Sequence, residues 1–308
     1  MKPIKFGKEN SNYFAEYFSS LTSFCNWINN TERKKGNPKE SETNGKDFTG
    51  TNSLDEANRY ITGLEKWDAV YNRIEKLDLD VTDVQGSGYA IKRKPSVAGG
   101  SVHLGRYLRG TPECMIRNVR TEAERRGKVL DIYFDPCISG GYSTDAMITY
   151  GLAVFMTIDA LENEGYRINL YLSATNNSKD SLQVVFIKVK DSTESLEMNS
   201  MLYAIAHPSM FRRHIFAYLE RSWYWQYGYG VVPNVQKFKR NELMFGYNEN
   251  PSRSFFLRNL QNLQKENQKM DEKELANYFI NGIKEQMSDY DGCVNEPLKG
   301  ESNFSYMW

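Results

Sequence analysis

Residues 128 to 147, KVLDIYFDPCISGGYSTDAM, set Asp135, Cys137 and Ser139 at alternate positions. An apolar run from Val129 to Phe134 leads into them, and a small-residue turn through Gly140 and Gly141 leads out to a helical pattern. Strand, polar turn and helix in this order place ligand groups at the carboxyl ends of strands in α/β domains. Two chemistries suit the three side chains. Carboxylate and hydroxyl oxygens are donors for a hard ion such as Mg2+, although a soft sulfur at Cys137 is a poor ligand for it. A thiol beside a helix N-terminus is also more readily ionised. A thiol enzyme needs a base, however, and His103, His207 and His214 are the only histidines, none of them in a recognised Cys/His pattern. A phosphatase-type loop would need an Arg soon after the Cys, and residues 138 to 147 contain none. Cys137 is thus the one catalytic candidate, set against the plainer reading of a small buried residue under the sheet end.

Three other constellations stand out. His207-Pro208-Ser209 with Arg212, Arg213 and His214 is a compact basic cluster. Arg212 and Arg213 there could bind an anion at a helix N-terminus, or could sit at a helix corner and pair with nearby carboxylates. Trp223, Tyr224, Trp225, Tyr227 and Tyr229, next to Arg221, form the densest aromatic run. Such a run suits a partner-binding hot spot or a base-stacking surface, and equally a cover over a sheet edge. Gly86-Ser87-Gly88 followed by Lys92 hints at a phosphate loop, but Ile91 stands where the third glycine belongs, so a turn is expected.

The elements that must position these groups are legible in part. Phe14, Phe18, Leu21, Cys25 and Ile28 recur at three- and four-residue steps and predict an amphipathic helix over 11–28, within an N-terminal arm of residues 1–30. Residues 31–46, TERKKGNPKESETNGK, read as a polar linker. Residues 47–127 begin with a helix capped by Ser53 and Glu56, turn Gly-rich and irregular over 80–115, and end in a short basic segment. Residues 128–222 carry the clearest α/β pattern: strand 129–135, helix 143–164 with the apolar stripe Met147, Tyr150, Val154, Ile158 and Leu161 and ended by Gly165, two strands at 167–172 and 182–189 close enough for a hairpin, then helices around 195–206 and from Ser209. Residues 223–308 hold the aromatic segment and helices over 252–268 and 272–287, the second with Asp271 and Glu274 as a capping box.

Composition bounds the class. The chain has 308 residues, 40% hydrophobic and 13% aromatic, enough for a large core. Thirty-nine basic residues balance 39 acidic ones, which argues against a general nucleic-acid binder. Arg117, Arg120, Arg125, Arg126 and Lys128 still offer a local basic surface. The four cysteines are widely spaced and form no CxxC pair, so no zinc ribbon is expected. No signal peptide and no long apolar span are seen, which points to the cytoplasm, reduced thiols and no membrane.

The order β–α–β–β–α–α over 128–222, with Asp135 and Ser139 at the first strand end, resembles a von Willebrand factor A (vWA) domain. The wider region, with segments like TGTNSLDEA and RYLRGTPECM at residues 50–57 and 106–115 and HPSMFRRHIFAYLE further on, resembles a family of bacteriophage-encoded proteins with a vWA-like core. The resemblance implies a Rossmann-like three-layer sandwich with helical N- and C-terminal extensions. It also implies a degenerate Mg2+ loop of Asp135 and Ser139, with Thr193 in the loop after the third strand as a further ligand and Cys137 in place of the middle serine. The expected function is a non-enzymatic, phage-encoded protein that binds a protein partner, such as a host factor of defence, in the host cytoplasm. No cofactor beyond Mg2+ is implied, and homo-oligomers are compatible with the pattern. The alternatives are a thiol- or metal-dependent enzyme using the loop 135–145, an assembly protein, and a nucleic-acid-binding protein.

Overall fold

The structure, a computed structural model, describes residues 4–6, 12–76, 91–120, 129–138, 140–177, 181–194, 198–222, 254–257, 260, 263 and 267–293. Their centre is a six-stranded sheet. In chain order its strands are β1 (Ile4–Phe6), β2 (Asn12–Phe18), β6 (Val129–Phe134), β7 (Arg167–Asn177), β8 (Ser181–Lys190) and β9 (Ser254–Leu257). The spatial order is β1-β2-β8-β7-β6-β9. β7 and β9 flank β6 in parallel, β8 runs antiparallel to β7, β2 lies parallel to β8, and β1 closes the edge antiparallel to β2. A separate three-stranded sheet joins β3 (Ile91–Ser96), β5 (Met115–Arg120) and β4 (Ser101–Val102).

The apolar face of the large sheet is built by period-two alternation. Leu130, Ile132 and Phe134 of β6 join Ile168, Leu170 and Leu172 of β7, Val185 and Ile187 of β8, and Phe255 and Leu257 of β9 in one core cluster. Helix α7 (Thr144–Asn163) packs into it, with fourteen of its twenty residues buried. It is long and apolar enough to cross a membrane, but 72% of that window is inside the fold, so its apolar surface is spent on the core. Ser143 caps its start by accepting from Ala146 N at 3.2 Å. Its end is a left-handed Gly165 at φ 94°, with Tyr166 N returning to Leu161 O as expected of a glycine stop. Helices α8 (Met198–Ala206) and α10 (Glu272–Cys293) lie against α7. The first is close enough that a Cβ on Gly151 would stand 2.5 Å from Ala206 Cα.

The fold class is α/β, and the hairpin of β7 with β8 forms as the pattern predicts. Several boundaries differ. Residues 12–18 are strand β2, not helix; the helix α1 spans Leu21–Asn30 only. Phe14 and Phe18 matched a helical step, but the segment NYFAEYF is aromatic-rich and pairs along its whole length with β8. Strands β1 and β2 are therefore part of the central sheet. Residues 252–268 do not form one helix: Ser254–Leu257 is strand β9. The expected linker 31–46 contains a short helix, α2 (Glu40–Thr43), with Ser41 fully buried. The described part of the stretch expected to be irregular, from residue 91, folds into β3, β4 and the short α6 (Leu104–Leu108).

Candidate functional site

Two places gather the chemically able side chains. The first is the loop after β6, at the carboxyl edge of the sheet. Asp135 accepts a hydrogen bond from Cys137 N at 2.8 Å through Oδ1, a turn that fixes the loop. Cys137 is fully buried, in keeping with a small core residue. Ser139 lies outside the described residues. Thr193 is a correction. Because β8 runs antiparallel to β7, the loop after it emerges at the opposite edge, where Ser192 N donates to Asn169 Oδ1 at 2.8 Å and Asn169 donates to Asp131 at 2.7 Å. There Thr193 is exposed and its hydroxyl is bonded to Asp191 at 2.7 Å. Asp135 and Thr193 sit at opposite ends of the strands and cannot share an ion. Among the described residues no group of three His, Cys, Asp or Glu side chains is placed to hold a metal. The described members of the expected donor set, Asp135 and Thr193, therefore do not fit one Mg2+ site.

A fixed cation stands in this loop instead. Arg212 is 2% exposed, donates through Nη1 to Phe48 O at 2.7 Å and through Nη2 to Tyr142 O at 3.3 Å, and stacks on the Phe48 ring at 4.2 Å. Its Nε has no hydrogen-bond partner. The Phe48 ring in turn lies 3.4 Å from where a Cβ on Gly140 would be. Tyr150, one turn further along α7, is buried with its hydroxyl unbonded; burial, and then the charge of Asp135, raise its pKa well above the ordinary phenol value. Arg73, from α5 (Asp68–Lys76), closes the edge by bonding Asp145 and Thr149 of α7, each at 2.5 Å, and Glu272 of α10. The sequence offered no signal for Arg73, which lies in no motif, and marked Tyr150 only as part of the apolar stripe of α7.

The second place is a polar core under a π-helix, Met210–Ile215, which continues into α9 (Phe216–Arg221). Here Arg212 and Arg213 were expected at a surface that could take an anion or carboxylates. Both are buried, and their terminal nitrogens go to backbone carbonyls. Arg213 donates through Nη1 to Ser41 O at 2.8 Å, through Nη2 to Asn44 O at 3.1 Å and Thr51 O at 2.5 Å, and through Nε to Thr51 Oγ1 at 2.7 Å. A guanidinium's rigid fork suits several such acceptors at once. Ser209 does not cap the next helix. Its hydroxyl bonds Thr49 O and Thr51 Oγ1 instead. Gly50, at φ 84°, brings the chain against His207, where any Cβ would meet the ring at 2.9 Å.

The two histidines here are structural. His207 lies against Trp67, Tyr203 and Tyr60, with ring centroids 4.2, 4.9 and 5.2 Å away, and accepts from Ser209 N at 3.0 Å. His214 Nδ1 bonds the Tyr203 hydroxyl at 2.8 Å and Nε2 bonds Asn58 Oδ1 at 3.0 Å. Burial, reinforced for His207 by His214 and for His214 by Arg213, lowers both pKa values to about 3, so both rings are neutral. Cys25 also donates to Asn58 Oδ1, at 3.1 Å, and burial raises its pKa, the reverse of an activated thiol. His103 caps the short α6. Trp223, Tyr224, Trp225, Tyr227 and Tyr229 lie outside the described residues, as do Gly86, Ser87 and Gly88.

Fold and site together define an α/β protein with a mixed six-stranded sheet, whose loop after the central strand is tied down by arginines. The chain belongs to the family described as a domain of unknown function, DUF7192, whose model matches residues 5–287. No curated protein and no solved structure matches it.

Proposed function

We infer that this chain is a binding protein on a vWA-like core, taking a protein partner at the carboxyl edge of its large sheet without a bridging metal. The observation that carries the reading is the strand order β8-β7-β6-β9, in which β8 runs antiparallel to the other three, with β2 and β1 extending the sheet beyond β8. That order supports the vWA-like reading. It makes the loop 135–143 the point where chain direction around β6 splits, the usual place for ligand contact in open α/β sheets. Arg212 supports the metal-free part of the reading, since it already supplies a buried cation to that loop. The resemblance of residues 50–57 and 106–115 to phage-encoded proteins makes a host factor the partner class.

The test is affinity capture from host lysate with the tagged full chain and with Gly140→Arg, each with and without EDTA. Gly140 is exposed, so the variant changes the edge without filling the core. A stoichiometric partner kept in EDTA and lost with Gly140→Arg supports the reading. A partner lost in EDTA restores a metal-bridged site. A partner retained by Gly140→Arg, or none at all, overturns it.

A further inference from the structure

We propose that the second face of the large sheet, the one turned away from α7, is a docking surface whose occupant is this chain's own segment 223–253. Side chains along each strand alternate between the two faces. Leu130, Ile132 and Phe134 face the helices: α1, α5, α7, α8, α9 and α10 all bury apolar residues in one cluster with them. Ala15, Tyr133, Val184 and Phe186 hold alternate positions and are no part of that cluster. They are nevertheless only 2%, 5%, 1% and 2% exposed.

Rings pave this face. Tyr133 stacks on Tyr171 and on Phe256, each with centroids 4.8 Å apart, and meets Phe186 edge-on at 5.7 Å. Tyr17 lies 6.3 Å from Tyr171. Rings set side by side across strands cover one another's flanks and not their tops. Ala15 and Val184, paired across β2 and β8, have short side chains that a layer above must hide. Burial, ahead of the charge of Asp131, also raises the Tyr171 phenol well above its ordinary pKa. All of this burial exists in the single chain, so the covering layer belongs to the chain itself.

Chain geometry selects the segment. Ser222, at the end of α9, holds the Gln183 side chain near the start of β8. Ser254 opens β9 beside Asp131, near the start of β6. Because β8 is antiparallel to β7, these two points lie toward opposite edges of the sheet, three strands apart. Gln183 is level with Asn176 of β7, and Asp131 is level with Asn169, seven residues earlier. At about 3.3 Å per residue and about 4.8 Å per strand, the diagonal is about 27 Å. About eight extended residues would span it, and 31 are present. Helices occupy the other face, so the open route is over the rings. The segment has the matching chemistry. It holds eight aromatic residues, five of them from Trp223 to Tyr229, and ring pairs stabilise beyond the area they bury. Residues 77–90 and 121–128 have one aromatic between them, and 294–308, with three, follow α10 on the helical side. The run from Trp223 to Tyr229 is then engaged within the fold, which leaves the carboxyl edge rather than an aromatic hot spot for a partner.

The experiment places the photo-cross-linking amino acid p-benzoylphenylalanine in the full chain at Tyr171, on the ring-paved face, or at Tyr278, on the helical side. Linked peptides are mapped by mass spectrometry after irradiation. The probe at position 171 should link within 223–253, in a product of monomer mass, and the probe at 278 should not. A link from position 171 to 294–308, to any other segment or to a second copy overturns the proposal, as does no link or an equal link from 278. A second readout needs no probe. Tyr171→Ala removes one ring and should speed trypsin cleavage within 223–253 about tenfold, while cleavage after the exposed Lys66 stays within about twofold. No acceleration, or equal acceleration at both places, would also overturn it.

Discussion

Arg213 is bonded to Thr51 at two points, Nε to the hydroxyl at 2.7 Å and Nη2 to the carbonyl at 2.5 Å, across 162 positions of sequence. The same guanidinium holds the carbonyls of Ser41 and Asn44. Ser41 also donates its N–H to Glu220 Oε1 at 2.8 Å and its hydroxyl to the other carboxylate oxygen. One peptide thus stands between a buried cation and a buried carboxylate. Around this relay, residues 31 to 53 are strapped to the π-helix and α9. Lys34 N and the Asn37 side chain bond Glu220 O, and Arg221 bonds Thr31 O.

Replacing Arg213 should loosen that strap before anything else. Arg213→Met takes the donor from Ser41 O and from the half-buried Asn44 O, and two of the Thr51 bonds, although Thr51 O keeps Thr49 Oγ1 and its hydroxyl keeps Ser209; a buried acceptor left unmade costs about 1–3 kcal/mol. Partial relaxation limits the sum, so a loss of about 3–5 kcal/mol is expected. Arg213→Lys should recover little, because one ammonium cannot reach acceptors spread over a planar fork. Urea unfolding gives the magnitude. Limited proteolysis gives the place: cleavage should appear first within 31–53. A variant as stable as wild type, or first cleaved elsewhere, contradicts the strap.

The α/β core was legible because its elements are local and strongly periodic. The stripe Met147, Tyr150, Val154, Ile158 and Leu161 and the capping box of Asp271 with Glu274 both appear where the pattern puts them, the box with bonds of 2.9 and 3.2 Å. Ser53 caps α4 (Leu54–Ile61) as expected, though Glu56 returns to Asn52 N instead. Strand β2 was missed because Phe14 and Phe18 fit a helical step by chance, and pairing with a strand over 160 residues away decides the matter. The candidate site was legible only as a motif. That Asp135 and Thr193 would face opposite edges depends on the direction of β8, which no spacing within either loop reveals. Arg212 and Arg213 looked like surface charges, since nothing in a sequence shows a guanidinium filled by carbonyls.

The buried histidines set the acid response. Both have folded pKa values near 3, held down mainly by burial, against about 6.5 in an unfolded chain. The unfolded state therefore takes up protons that the fold refuses. Stability is complete above pH 6.5 and is lost as the pH falls toward 3, at about 1.4 kcal/mol per unit for each ring. At pH 5 the pair should have cost about 4 kcal/mol. Asp191, held well below the carboxylate range first by its bond to Lys188, adds its own loss only below pH 4. In the window from 6.5 to 5 the histidines supply the loss, opposed in sign by Glu16, whose carboxyl burial raises above its ordinary value. Urea midpoints across that window should fall steeply, and His214→Gln should roughly halve the slope. A flat profile would mean the rings are not held neutral.

Gly151 tests how closely α7 and α8 cross. A Cβ there would lie 2.5 Å from Ala206 Cα, from Ala206 Cβ and from Ile205 O. Two effects compete in Gly151→Ala. Alanine favours the helix over glycine by about 1 kcal/mol, while forcing atoms into a packed crossing costs about 1–3 kcal/mol or more. Because two of the three opposing atoms are backbone, no rotamer change relieves the overlap, so destabilisation should win by about 1–2 kcal/mol. Ala206→Gly removes only the third contact and should rescue little of the loss. Thermal melting of the single and double variants reads this directly. A melting temperature raised by Gly151→Ala would mean the helices stand further apart than the 2.5 Å approach to Ala206 allows.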